Sequence, residues 1–497
     1  MREEAFDAIV VGAGIGGLSA AITLADAGRR VLVLEAYDAA GGKAGTCVLA
    51  GVEVDTGPSV LTLPEVFEQL IGSAGLEAGR ELPLRRLTPS FRYVFADGVG
   101  LDLHHELGAT LESVRASLGP AAADELARFL RYAQEIWQAA APAFVFGPAP
   151  SVGNLLRGGF GALRALLRID PLSSMQGAIE RHVHSPHLRL VLSRYATYNG
   201  SDPRCAPATL NCIAHVELAL GGYGIEGGIG TLVRALERAA RRLGVVFRFC
   251  TPVDQLCLHG DRVTGVRAAG RTFAAPNVVV NADVSHMLRD LLPAEIRPAP
   301  TTPGPASMSG YNAIYRVRRQ QRAAHTVLFP PDYAAEFADI FDHDRPPLDP
   351  SVYVCAQEVC HGRTGWPEHE PLFVMANAPA EPEADARPDE LYATLAATVR
   401  ARLARAGLMD ADAELLWERT PRDLAQRFPR SRGSIYGAAS NDRSAAFRRP
   451  GNAVDGVQGL FLASGSAHPG GGLPLAAQSG RQAAAQLLAQ REGEGRP

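Results

Sequence analysis

Glycines at 12, 14 and 17, in the run Gly12-Ala13-Gly14-Ile15-Gly16-Gly17, together with the carboxylate of Glu35, have the types and spacing that bind a dinucleotide. Gly12 permits a tight turn, and Gly14 lets bare backbone approach a pyrophosphate. Gly17 lets a helix lie close on the strand before it, with the phosphate at the helix amino terminus. An acid about twenty residues further on accepts hydrogen bonds from ribose hydroxyls and disfavours a 2′-phosphate.

Such a site works only at a strand-to-helix junction, and the flanking residues predict one. Phe6 to Val11 is a short apolar run of β-forming residues and Leu18 to Ala27 has helical composition. Gly28 ends that helix, and Arg30 to Leu34 reads as a second buried strand that delivers Glu35 at its end. The carboxyl-terminal region repeats the layout. Leu460 to Ala463 is an apolar strand running into Ser464-Gly465-Ser466-Ala467-His468-Pro469-Gly470-Gly471-Gly472-Leu473-Pro474, and Leu475 to Leu488 follows as an alanine-rich helix. Between these ends, Gly227 to Leu243 is helix-like and Val245 to Phe249 reads as a strand. Val263 to Val266, Thr272 to Phe273 and Val278 to Val280 read as further strands, the last running into Asn281-Ala282-Asp283. Proline-rich stretches at Pro142 to Pro150 and Pro293 to Pro305 mark domain crossings.

A chain of 497 residues exceeds what one core usually organises, so two connected domains are expected. With 49 basic against 53 acidic residues, no field gathers nucleic acid or an anionic bilayer by charge alone, and no nucleic-acid partner is expected. The uncharged stretch Ala8 to Ala25 is neither signal nor membrane span: Glu3, Glu4 and Asp7 precede it, and glycines with Ser19 and Thr23 interrupt its apolar surface. A cytoplasmic chain is the expectation.

Other reactive side chains suggest less. The seven cysteines are scattered and read as reduced thiols; Cys355, Cys360 and His361 lack the second half of a zinc site. His182, His184 and His187, beside Pro186, share no helical face, so no metal is expected there. Leu155 to Ile169 sets Arg157, Arg164 and Arg168 among leucines and Phe160, a basic amphipathic pattern suited to a membrane interface.

Asp38-Ala39-Ala40-Gly41-Gly42-Lys43, Asp55-Thr56-Gly57-Pro58-Ser59-Val60-Leu61-Thr62 and the terminal histidine-proline-glycine segment carry a family resemblance. The chain resembles the amine oxidase and carotenoid desaturase superfamily of flavoproteins, and within it the bacterial phytoene desaturase-like family. The resemblance implies an α/β fold: a Rossmann-like FAD-binding domain with an inserted α+β substrate domain. The FAD domain is expected from 1–95, 215–290 and 435–490, the substrate and membrane-contacting domain from 96–214 and 291–434, and a flexible tail from 491–497. It also implies FAD, with Gly42 and Lys43 along the cofactor, although most members carry arginine at the place of Lys43. Gly57, Pro58 and Ser59 would pass beside the flavin ring, and Val253 would cover the adenine. Gly465, Ser466, Gly472, Leu473 and Pro474 would meet the cofactor at the last helix, with Ser466 standing where many flavoproteins have aspartate. Amides at that helix start would stabilise the negative charge of a reduced flavin near N1 and the C2 carbonyl.

Gly57 to Leu70, Ala206 to Leu218 and the terminal segment are most similar to the 1-hydroxycarotenoid 3,4-desaturase branch. That branch implies hydride transfer from C3–C4 of a 1-hydroxylated acyclic carotenoid to flavin with loss of a proton. Oxygen or a quinone would be the final acceptor, at the inner face of the cell membrane. His215 and Glu217 are its candidates for polar groups near the reacting end. On a helix with Ile213, Val216 and Leu220 they equally suit a polar edge. Phytoene desaturation and carotenoid isomerisation share the cofactor site; amine or porphyrinogen oxidation and flavin-free lipid carriage are the more distant alternatives.

Overall fold

Strands buried on both faces are continuous apolar runs, and such runs build the first sheet of the computed structural model, which describes residues 5–150, 168–296, 304–442 and 445–494. Its elements are β1 (Ala8–Val11), α1 (Ile15–Asp26), β2 (Val31–Leu34), α2 (Ile229–Arg242), β3 (Val246–Arg248), β4 (Val278–Val280), β5 (Leu460–Leu462) and α3 (Leu473–Glu494). All pairings are parallel in the order β5-β4-β1-β2-β3, with Ile9 opposite Val278 on one side and Leu32 on the other. Alternation along each strand divides the core. Ala8, Val10, Val31, Val33 and Val279 face α1, α2 and α3, whereas Ile9, Val11, Leu32, Leu34 and Val280 face Leu256, Val263 and Val266 of an antiparallel meander. The meander runs through Val253–His259, Arg262–Ala268 and Arg271–Ala274.

A second, seven-stranded sheet has the order Glu414–Arg419, Ser309–Arg318, His369–Ala378, Val352–Ala356, His325–Leu328, Phe91–Val94, Gly100–Leu103. Only the pairing of His325–Leu328 with Phe91–Val94 is parallel. Helices Leu107–Leu118, Pro120–Ala140, Met175–His182 and Pro186–Ser193 contribute to the core beside its Phe91 end, and Asp389–Arg405 covers its other side.

One expected domain boundary falls between two paired strands and another inside a helical run. Phe91–Val94 pairs with His325–Leu328 and so belongs to the second sheet, ahead of the expected change at 95. The change at 215 cuts a helical run, Cys212–His215 continued by a π turn over Val216–Leu220, whose Ala214 and Leu218 pack with Phe129 in the second core. The basic segment Leu155 to Ile169 lies outside the described residues except for Arg168 and Ile169. Among the described residues no helix is long and apolar enough to cross a membrane.

Candidate functional site

The turn from β1 into α1 closes on three neighbouring strand ends. Gly12 has φ +95 and its N–H donates to Leu34 O at 2.8 Å. A Cβ on Gly14 would stand 2.6 Å from Asn281 Oδ1, one on Gly16 2.3 Å from Ala463 O, and one on Gly17 2.0 Å from Gly12 O. Backbone is therefore all that fits between the ends of β4 and β5. No side chain caps the first turn of α1, which leaves its amides to a ligand. Glu35, buried at the end of β2, accepts from Ala13 N–H at 2.6 Å and Tyr37 N–H at 3.0 Å, so its carboxylate is fixed beside the turn.

A cavity of about 910 Å³ opens at the carboxyl ends of these strands, where doubly wound sheets bind ligands. Gly12, Gly14, Glu35, Gly42, Lys43, Gly57, Pro58 and Ser59 line it, and so do Val253, Gly465, Ser466, Gly472, Leu473 and Pro474. Gly17 does not; it sits under the turn against Gly12. Farther along, the same cavity is walled by Trp137, Phe144, Ile169, Leu210, Ile213 and Val216. The bare glycine floor, the uncapped α1 and the fixed Glu35 fit a pyrophosphate and ribose. Gly472, at φ +100 with nothing within 4 Å of an added Cβ, leaves open space at the start of α3.

Several candidates have structural duties beside the cavity. The ammonium of Lys43 donates to Ser434 O at 2.8 Å and Ile435 O at 2.9 Å, and burial pushes its pKa down to about 8. It thereby ties the 3-10 turn Gly42–Ala44 to the segment at 434–435. Ser466 Oγ accepts from Val284 N–H at 2.9 Å, and Gly57 has Lys43 O where a Cβ would lie, at 2.2 Å. Asp55 accepts from Ile229 N–H at 2.8 Å and Gly230 N–H at 3.2 Å, so it caps α2.

His215 and Glu217 are buried and neither lines the cavity. At helical spacing the lining positions are Ile213 and Val216, which turn the residues at 215 and 217 elsewhere. They do not form a solvated polar edge either. Burial pushes the His215 imidazole below its ordinary pKa, and Glu217 takes the hydroxyls of Tyr195, at 2.9 Å, and Tyr198. Tyr198 does line the cavity, so Glu217 reaches it through one phenol.

The remaining sequence candidates separate. His182 stacks on Tyr132 at 4.5 Å, His184 bonds Glu125 and His187 bonds Asp97. Cys355 and Cys360 gain a partner that the sequence did not reveal. His325 Nε2 lies 3.5 Å from Cys360 Sγ, and the ligand atoms of His325, Cys355 and Cys360 come within 4.8 Å of one another. His361 instead faces Asp55 at 3.6 Å.

Residues absent from the sequence reading complete the site. Asn281 packs under the glycine turn and donates to Ala463 O, and Arg449 donates to Gly465 O at 3.0 Å and Tyr436 O at 3.2 Å. Arg194 and Tyr333 line the cavity wall. Asn281, next to a strand end, carried a positional signal; Arg194, Tyr333 and Arg449 carried none, because their neighbours come from distant segments.

Residues 15–488 match the model of the flavin containing amine oxidoreductase family. The hydroxyneurosporene desaturase of Rubrivivax gelatinosus is 34% identical over 499 residues, covering 98% of this chain and 94% of that protein. The 4,4′-diapolycopene oxygenase of Methylomonas sp is 30% identical over 501 residues, covering 97% of this chain and 98% of that protein. Among solved structures, putrescine oxidase bound to putrescine has a TM-score of 0.61 at 16% identity, covering 98% of this chain and 99% of that one. An oxidoreductase from Methanosarcina mazei has a TM-score of 0.59 at 14% identity, covering 97% and 99%. At these identities the structural likeness is one of fold. The chain therefore belongs to the flavin-containing amine oxidoreductase family, in its carotenoid desaturase group, and is a flavin-dependent oxidoreductase.

Proposed function

We propose that the chain binds FAD and introduces the C3,4 double bond into a 1-hydroxylated acyclic carotenoid. The observation that carries this reading is the single cavity that joins a glycine floor for a dinucleotide to a wall of Trp137, Phe144, Ile169, Ile213 and Val216, a surface suited to a polyene. Relatives named hydroxyneurosporene desaturase, 34% identical over nearly the whole chain, support the choice of substrate.

FAD, when bound, supplies the acceptor for a hydride. Glu35 would hold the ribose hydroxyls, and the uncapped start of α1 would receive the pyrophosphate. Gly57, Pro58, Ser59 and the start of α3 would hold the ring. The apolar wall positions the reacting C–C bond and excludes water from it. The released proton is taken by Tyr198 Oη while Tyr198 passes its own proton to Glu217, along the hydrogen bond that already joins them. His215 is off this path.

In this reading the protein takes its substrate from the inner face of the cell membrane, with Leu155 to Ile169 in the interface, and passes electrons to oxygen or a quinone. The test is chromatography of products after FAD-loaded protein in liposomes receives a 1-hydroxycarotenoid or phytoene. Conversion of the hydroxylated substrate alone, to a product two hydrogens lighter, is the expected result. Conversion of phytoene moves the protein to an earlier step; isomerised product of unchanged mass contradicts desaturation.

A further inference from the structure

We infer that Arg194 and Tyr333 form a hydroxyl-reading subsite in the cavity wall, which takes the tertiary alcohol of an acyclic polyene and thereby selects the substrate. The inference rests on the proposed desaturation and adds to it the residues that discriminate.

Much of the wall beyond the glycine floor is hydrocarbon, and Arg194 and Tyr333 are among its polar side chains, with Tyr198, Asn312, Ser351, Tyr353 and Asn377. Arg194 is 7% exposed and, among the described residues, has no carboxylate in contact. It donates to Tyr93 Oη at 3.1 Å and Tyr198 Oη at 3.3 Å, and lies over the rings of Phe91 at 4.9 Å and Tyr198 at 5.2 Å. Its charge is balanced one phenol away, at Glu217, which accepts from Tyr195 and Tyr198. Tyr333 is 4% exposed, its ring edge-on to Phe329 at 5.0 Å and Phe337 at 4.9 Å. Among the described residues its hydroxyl makes no hydrogen bond of regular geometry; Ser351, whose own hydroxyl donates to Glu336, lies beside it. Native proteins leave few buried hydroxyls unpaired, and one in the wall of a ligand cavity is completed by the ligand. Burial, and next the Glu336 carboxylate, hold the Tyr333 phenol neutral and well above its ordinary pKa against the opposing pull of the Arg194 charge, so it remains a donor.

The position also fits the chemistry. Tyr353, in the same wall, bonds His325 Nδ1 at 2.8 Å; His325 Nε2 faces Cys360 Sγ, and Cys360 donates to Ser59 O at 3.7 Å. This chain of contacts ties the polar wall to the Gly57–Ser59 turn. The alcohol of a 1-hydroxycarotenoid sits two carbons from C3, so whatever reads it must stand next to the bond being oxidised. The alcohol accepts from Tyr333 and from the guanidinium. A hydrocarbon end leaves both donors unpaired, and a protonated amine meets a cation. Sites built to bond a hydroxyl reject analogues lacking it by up to about 10⁴–10⁵.

The test measures kcat/KM of the holoenzyme in liposomes for a 1-hydroxylated acyclic carotenoid and for the same carotenoid without the hydroxyl. Wild type is expected to favour the alcohol by about a hundredfold or more, and Tyr333→Phe and Arg194→Met each to lower that ratio at least about tenfold. Tyr333→Phe removes one oxygen that makes no hydrogen bond of regular geometry among the described residues, so its thermal midpoint and flavin content are expected at the wild-type level, and it keeps the test informative if Arg194→Met does not fold. A wild-type ratio near one overturns the inference while desaturation stands, and so does a Tyr333→Phe ratio equal to wild type. Conversion of neither compound by wild type fails the proposed function, and the inference with it.

Discussion

Glu35 and Lys43 show how the same residue type can serve a ligand or the frame. Glu35 spends its carboxylate on Ala13 and Tyr37 amides while still lining the cavity, so it is held in place for a ribose. Lys43, which also lines the cavity, spends its ammonium on two carbonyls of the facing segment and is a structural tie. Glu336 does not line the cavity but stands behind Ser351 and Asn377, which do, and its burial has a measurable consequence. It accepts from Ser351 N–H, Ser351 Oγ–H and Asn377 Nδ2–H, and burial pushes its carboxyl up to about 7 from an ordinary 4.5. A carboxyl whose folded pKa is raised contributes stability that is full below about pH 4.5 and is lost as pH rises to about 7. Between pH 5 and 8 the wild type should therefore lose on the order of 2 kcal/mol through this group, and Glu336→Gln should lose less. Thermal unfolding of both proteins across that range checks it; parallel curves contradict it. The glycines and Glu35 were legible because their chemistry is local: a turn, a helix start and an acid at a strand end. Arg194, Tyr333 and the link from Glu217 to Tyr198 were not, since each exists only once residues 91–93, 194–217 and 329–337 meet.

Element contacts make the same distinction. The helix of α3 lies along α1 so closely that a Cβ on Gly480 would stand 2.1 Å from Gly16 O and 2.8 Å from Ala20 N. Ser19 Oγ adds a bond to Ala477 O across the same contact, at 2.6 Å. Gly480→Ala should push the helices apart and cost about 1–3 kcal/mol, the usual penalty of overpacking. A lower thermal midpoint together with weaker flavin retention is the expected outcome; an unchanged midpoint would mean that the two helices separate freely. Nothing in the sequence marked Gly480, one glycine in an alanine-rich helix, whereas Gly12 to Gly17 stood out by spacing. The strands of the parallel sheet were readable as apolar runs, but Phe91–Val94 gave no sign that its partner is His325–Leu328, more than two hundred residues away, so the boundary expected at 95 was drawn too late. The helical run through 212–220 was divided for a like reason: its packing against Phe129 is invisible in local composition.

At the scale of the molecule, a parallel sheet with a glycine turn at its strand ends and a larger mixed sheet enclose one cavity, glycine-lined at one end and apolar at the other. The amine-oxidising relatives of known structure share this frame at 16% identity, so the frame alone does not set the chemistry. In this chain the wall carries Arg194 and Tyr333. A buried guanidinium and an unpaired phenol suit an alcohol and oppose an ammonium ion. The claim that joins these features is that a C–C bond of a hydroxylated polyene gives its hydride to the flavin. Its most direct test is anaerobic: FAD-loaded protein in liposomes is mixed with a 1-hydroxycarotenoid while the flavin spectrum is followed and the product is weighed. Bleaching of the oxidised flavin, one equivalent for each product two hydrogens lighter, is the predicted result. An unchanged flavin spectrum while the substrate is consumed or isomerised would contradict it.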